Sequence, residues 1–179
     1  HPLVQGFWTK HQQISWFLVS GLMAFACGVF ALFYSGFSPV VIGLFAIGAL
    51  VLLLYTWPLK YLGLGEFSIF LIWGPILVAS VYIVLARGWT NNAWNVALAG
   101  VPFGLSVVSI NIGKHIDKAP EDKKKGVGTL PVRIGEKAAR FVNIATFILI
   151  YALILYLVFV PCYFTPAMLI VLFAGKRLL

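Results

Sequence analysis

Acidic side chains are the scarcest charged groups in this chain. Asp and Glu number five in 179 residues against thirteen Lys and Arg, and charged residues of both signs make up only 10%. A water-soluble domain carries about a quarter of its residues charged, so that class is excluded. Cysteine is equally sparse. Cys27 and Cys162 stand far apart, in or beside apolar segments and without ligand-like neighbours. That rules out a disulfide framework or a zinc site, and both are read as small buried hydrophobes. No low-complexity segment, internal repeat or signal-peptide pattern is present.

What fills the chain is hydrocarbon. Hydrophobic residues make up 61% and the mean hydropathy is +0.99, the composition of a polytopic membrane protein. Six apolar segments can be drawn: Ile14 to Ser35, Pro39 to Trp57, Phe67 to Ala86, Ala93 to Ile112, Phe141 to Val160 and Phe164 to Ala174. The first five have the roughly 20 residues that cross a bilayer core, and the sixth is short. None carries an ionisable residue at mid-span, which argues against an ion or proton relay and hence against a transporter.

The links alternate in character. Those near 36–38, 88–92 and 161–165 are short and nearly uncharged, whereas the others carry twelve of the thirteen Lys and Arg, leaving only Arg87 for the opposite face. The positive-inside rule places the charged face in the cytoplasm. All five acids fall on that face as well, which an orientation rule based on Lys and Arg does not require. The net charge of +8 follows the spans and builds no separate basic domain, so it indicates orientation and attraction for anionic lipid or phosphate rather than nucleic acid. Gly74-Pro75 interrupts the third span, and Gly100, Pro102 and Gly104 interrupt the fourth. Two readings are open for them: a kinked wall around a cavity, or close helix packing through small residues.

Residues 111–135 form the one long polar run. Asp117, Glu121 and Asp122 alternate there with Lys114, Lys118, Lys123, Lys124 and Lys125. Carboxylates that hold a hard cation beside ammonium groups that hold an anion suit a metal-bound phosphate. A charged loop that merely fixes topology has the same composition.

The run Gly126-Val-Gly-Thr-Leu-Pro-Val-Arg-Ile-Gly135, preceded by Asp117, Asp122 and Asn111, resembles the second aspartate-rich motif of the intramembrane aromatic prenyltransferases, the UbiA superfamily. The earlier run Tyr55-Thr-Trp-Pro-Leu-Lys-Tyr-Leu-Gly-Leu-Gly-Glu66, followed by Gly74-Pro75, resembles that family's preceding cytoplasmic loop, in the form found in the branch that prenylates quinone precursors. The two runs stand in the family's order, and the resemblance covers essentially the whole chain.

The resemblance implies an all-α, multi-pass transmembrane helix bundle. About six of the family's nine helices would be present, as a single domain over residues 1–179 shortened at the N-terminus and also at the C-terminus. The segment His1-Pro-Leu-Val-Gln-Gly6 resembles the stretch just after the family's first aspartate-rich motif, so half of the magnesium apparatus is expected outside this chain, and the chain alone is expected to be inactive. The implied activity is transfer of a polyprenyl group from its diphosphate to a small aromatic acceptor, a quinone precursor of hydroxybenzoate or dihydroxynaphthoate type. The implied setting is a bacterial or archaeal plasma membrane, with the lipid bilayer as partner and no nucleic acid. A non-aromatic phosphorylated acceptor is the alternative within the family, and a transporter fragment or an inactive scaffold lies outside it.

By the same resemblance, Mg2+ would be held by Asp117 and Asp122, with Glu121, four residues after Asp117, as substitute. The family spaces its aspartates as Asp-x-x-x-Asp, whereas four residues separate these two. An offset of five turns side chains about 140° apart on a regular helix, so the expectation is that Pro120 bends the helix and brings the carboxylates back together. Lys118, Lys123, Lys124 and, from the neighbouring loop, Lys60 would contact phosphate. Asn111 would order the metal shell or bond a neighbouring helix. Glu66 would touch the acceptor or help to remove its proton, although an acid at a helix N-terminus is also explained by the helix dipole. Tyr61, with Tyr55, Trp57 and Trp73, would supply aromatic faces toward an allylic cation. His115 is read as an exposed residue of the lysine-rich link, without a role.

Overall fold

In a computed structural model of the chain, residues 9–161 and 163–169 are described. Cys162, the His1 to Gly6 segment, residues 170–174 of the sixth apolar segment with Lys176 and Arg177, and the side chain of Trp57 lie outside that set. Among the described residues every regular element is helical.

Helix α1, Lys10–Tyr34, starts at a capping box. Thr9 Oγ1 accepts from the Gln12 N–H at 3.2 Å, and Gln12 Oε1 accepts from the Thr9 N–H at 2.9 Å, so two orphan donors of the first turn are satisfied locally. None of the helix is buried, and Phe17, Leu22 and Phe30 stand largely free on its surface. Among the described residues little packs against this helix. It carries Cys27 on that exposed surface, which corrects the expectation of a buried thiol. An edge-on contact between Phe25 and Phe45, with ring centroids 6.3 Å apart, joins it to α2.

Helix α2, Pro39–Leu54, has proline in its first turn, where the missing N–H costs nothing. Its 16 residues continue into a π-turn, Tyr55–Leu59, that absorbs Pro58. Together they reach about 31 Å, enough to cross the hydrocarbon core. Four further helical stretches are long and apolar enough to cross by themselves: Lys10–Tyr34, Gly65–Leu85, Ala93–Lys124 and Glu136–Phe159.

Gly65–Leu85 is built from α3, Gly65–Leu71, a π-segment, Ile72–Ile76, and α4, Leu77–Leu85. The break falls at Gly74 (φ −97°, ψ −106°), the residue that Pro75 forces out of the α region. Helix α5, Ala93–Lys124, crosses at this break. A Cβ on Gly74 would lie 2.8 Å from Gly104 Cα, one on Gly100 2.7 Å from the Gly74 carbonyl oxygen, and one on Gly104 2.7 Å from that of Phe70. The glycines therefore serve close backbone packing, and of the two readings it is the packing one that the crossing fits.

Helix α5 is the centre of the bundle, lying against α3, α4 and α7, Glu136–Phe159. Ser109 Oγ donates to Asn143 Oδ1 at 2.7 Å between α5 and α7, and Ile150, Ile154 and Val158 of α7 pack with Leu105. At about 48 Å, α5 is longer than the bilayer core is thick. Its C-terminal part carries Lys114 to Lys124 as helix, where the sequence pattern predicts a link. It also runs unbroken through Pro120. This corrects the expected bend: four residues from the helix end, proline removes one bond without ending the helix.

At the other end of the bundle, Arg87 sits 4.9 Å from the centre of the Tyr34 ring, a contact that holds its guanidinium.

Candidate functional site

Helix α5 stops where its last carbonyls are capped from behind. Gly126 takes the left-handed conformation (φ 67°) that favours glycine. The Val127 N–H then donates to the Asp122 carbonyl oxygen at 2.9 Å, a helix-ending return. This return carries the chain back over α5, buries Val127, and sets Thr129 beside Asp122. A short helix, α6, Leu130–Ile134, follows with proline in its first turn.

A seven-residue offset returns to within about 20° of the same helix face, so His115 and Asp122 lie one above the other. His115 Nδ1 is 3.0 Å from Asp122 Oδ2, with the two side chains only 9% and 12% exposed. The Thr129 hydroxyl reaches the same oxygen at 3.4 Å. Asp122 Oδ1 has no protein partner among the described residues, and it is not sealed in, since no buried side-chain oxygen or nitrogen there lacks a partner. Asp122 is thus a carboxylate with one oxygen anchored and one offered.

Glu66, in the first turn of α3, is buried. Its Oε1 accepts from the Leu130 N–H at 3.2 Å, one of the orphan donors at the start of α6, whose N-cap Thr129 makes no side-chain cap. The two buried acids of the site, from two different helices, therefore grip adjacent residues of one turn. Arg133 closes the same region. Its Nε donates to the Gly128 carbonyl and its Nη2 to the Tyr61 carbonyl, each at 3.1 Å. Space for this is made by glycine: a Cβ on Gly63 would collide with the guanidinium, and one on Gly128 would lie 2.6 Å from the Tyr61 oxygen.

The remaining predicted residues spread outward. Asp117 is exposed on another face of α5, and Glu121 is exposed beside Lys125 at 3.9 Å, a surface pair of little energetic weight. The structure does not bring Asp117 or Glu121 to Asp122, and among the described residues no three His, Cys, Asp or Glu side chains gather as a metal cluster. Lys118, Lys123 and Lys124 are exposed around the helix end, Lys60 and Asn111 are partly buried, and the rings of Tyr61 and Trp73 are exposed. By helical period Asn111, His115, Lys118 and Asp122 share one stripe of α5.

Sequence reasoning missed His115, Thr129 and Arg133. The signal for the first two was the regular spacing, with His115 seven residues before Asp122 and Thr129 seven after. Arg133 shows itself only once Gly63 and Gly128 are seen to make room for it.

A helical membrane bundle with buried carboxylates gathered at one polar end is the class that fold and site define. The profile of the UbiA prenyltransferase family matches residues 1–176. The chain belongs to that family. It is 29% identical over 93 residues to UbiA prenyltransferase domain-containing protein 1 of Dictyostelium discoideum, a match covering 52% of this chain and 27% of that protein. It is 30% identical over 96 residues to 2-carboxy-1,4-naphthoquinone phytyltransferase of Synechocystis sp., covering 51% of this chain and 30% of that protein. The chain thus matches less than a third of the length of either relative. No solved structure matches.

Proposed function

We propose that the protein is an integral-membrane prenyltransferase that moves a polyprenyl group from its diphosphate to an aromatic quinone precursor, with the polar end of the bundle facing the cytoplasm. The observation that carries this reading is Asp122, buried yet offering one oxygen beside exposed lysines. Family membership supports prenyl transfer in general, and the name of the Synechocystis relative favours a naphthoquinone-type acceptor.

A divalent ion of the magnesium class fits this end of the bundle. Such an ion binds through one or two carboxylates and completes its shell with water and substrate phosphate, and ligating carboxylates are themselves hydrogen-bonded. Asp122 meets that description through Oδ1, while Asp117 and Glu121 lie exposed on the outer side of the same helix end. When bound, the ion acts as a Lewis acid toward the leaving diphosphate.

The chain's own residues do the rest. Lys118, Lys123, Lys124 and Lys60 neutralise phosphate oxygens, so that the allylic carbon–oxygen bond breaks with its electron pair leaving on diphosphate. The bundle interior excludes water from the allylic cation, and the partly buried Tyr55 offers a ring face to it. An aromatic carbon of the acceptor then forms the new carbon–carbon bond. The ring proton displaced in that step passes to Glu66 through Oε2, which has no protein partner among the described residues.

The reading is tested by mass spectrometry of products from the purified full-length protein, given a prenyl diphosphate and a panel of hydroxybenzoate and naphthoate acceptors. Prenylated naphthoate is the expected product. Product only with glyceryl- or sugar-phosphate acceptors would overturn the acceptor class, and no prenylated product from any acceptor would overturn the enzyme reading.

A further inference from the structure

The site leaves one buried group unused. His115 is enclosed within the bundle, bonds Asp122 at 3.0 Å, and takes no part in the chemistry proposed above. A polar ring this enclosed is costly unless it is partnered, and its one partner among the described residues is the carboxylate on which the function reading rests. An ionised carboxylate only accepts hydrogen bonds, so in this pair the proton lies on Nδ1. His115 and Thr129 both address Oδ2. One oxygen is therefore held from the helix turns below and from the returning loop above, and the other is fixed in direction without being blocked.

We propose that His115 is a positioning residue that orients Asp122 so that Oδ1 presents to a hard divalent cation. The inference rests on the function reading given above. It predicts that loss of His115 weakens the cation rather than the bundle, because hydrogen-bond partners of ligating groups typically set metal affinity by about 10- to 100-fold. It also makes a stereochemical prediction. The amide nitrogen of asparagine falls where His Nδ1 lies, whereas that of glutamine falls where Nε2 lies. His115→Asn should thus keep the bond to Asp122, and His115→Gln should lose it.

The test uses Mn2+, which favours the same oxygen ligands, titrated into the full-length protein in detergent with inorganic diphosphate present, and read as free Mn2+ by electron paramagnetic resonance. Asp122→Ala defines binding outside the site, and thermal unfolding without metal reports folding. The expected result is Asp122-dependent binding that weakens about tenfold or more in His115→Ala and His115→Gln and returns to within about threefold of wild type in His115→Asn. Wild-type affinity in His115→Ala would overturn the inference while leaving the function reading intact. So would His115→Asn no better than His115→Gln. If His115→Ala does not fold, the comparison of the other two variants decides the question. Absence of any Asp122-dependent binding would overturn the metal part of the function reading, and this inference with it.

Discussion

Asp122 and Glu66 grip neighbouring residues of one turn: the Thr129 hydroxyl reaches Asp122 at 3.4 Å, and the Leu130 N–H donates to Glu66 at 3.2 Å. The carboxylates come from α5 and α3, and α5 meets α3 at Phe70 and the π-segment that continues α3 at Gly74, backbone to backbone through Gly100 and Gly104. The crossing fixes the helices, and the turn fixes the acids.

This arrangement separates two functions of Glu66. Glu66→Ala leaves the Leu130 N–H without its acceptor, at a cost of about 1–3 kcal/mol, which lowers the unfolding midpoint by several degrees in a chain of this size. Glu66→Gln keeps an acceptor oxygen but cannot take a proton. It is expected to unfold like wild type while losing product formation, a pair of results that thermal scans and product assays distinguish.

The crossing is itself open to test. Alanine at Gly104 places a methyl against the Phe70 carbonyl and Gly74 Cα, and overpacking of this kind costs about 1–3 kcal/mol. Gly104→Ala should lower the unfolding midpoint in detergent, whereas Gly43→Ala, where a Cβ meets nothing within 4 Å, should not.

Arg133 ties two segments by reaching two carbonyls at once. Lysine has the charge but not the planar fork. Arg133→Lys is therefore expected to behave like Arg133→Ala, with the 60–64 segment cut faster by limited proteolysis in both.

Orientation can be measured directly. In a background with Cys27 and Cys162 replaced by serine, Lys118→Cys should react with an impermeant maleimide only from the cytoplasmic side. Arg87→Cys should react only from the other side, as the distribution of Lys and Arg dictates.

The bundle was readable in the sequence because apolar length and charge asymmetry are one-dimensional signals. The spans from Ile14, Phe67, Ala93 and Phe141 all correspond to long helices, and Gly74-Pro75 marks the kink. The site was readable only in part. Asp122 and Glu66 stood out as acids where acids are rare, but a stretch rich in lysine looked like a loop, and the continuation of α5 through it hid the burial of His115. Spacing also misled at Pro120, since proline close to a helix end does not turn the chain. The Arg133 contact with the Tyr61 carbonyl joins residues 72 apart in sequence, a tertiary pairing that no local pattern encodes.

The central claim is that Asp122 presents a cation to a prenyl diphosphate. The most direct measurement is a magnesium titration of diphosphate release by the full-length protein with a naphthoate acceptor, comparing Asp122→Ala with Asp117→Ala. The account predicts magnesium-dependent release that falls by about 100-fold or more in Asp122→Ala and far less in Asp117→Ala. Equal losses in the two variants, or release that persists in Asp122→Ala, would contradict it.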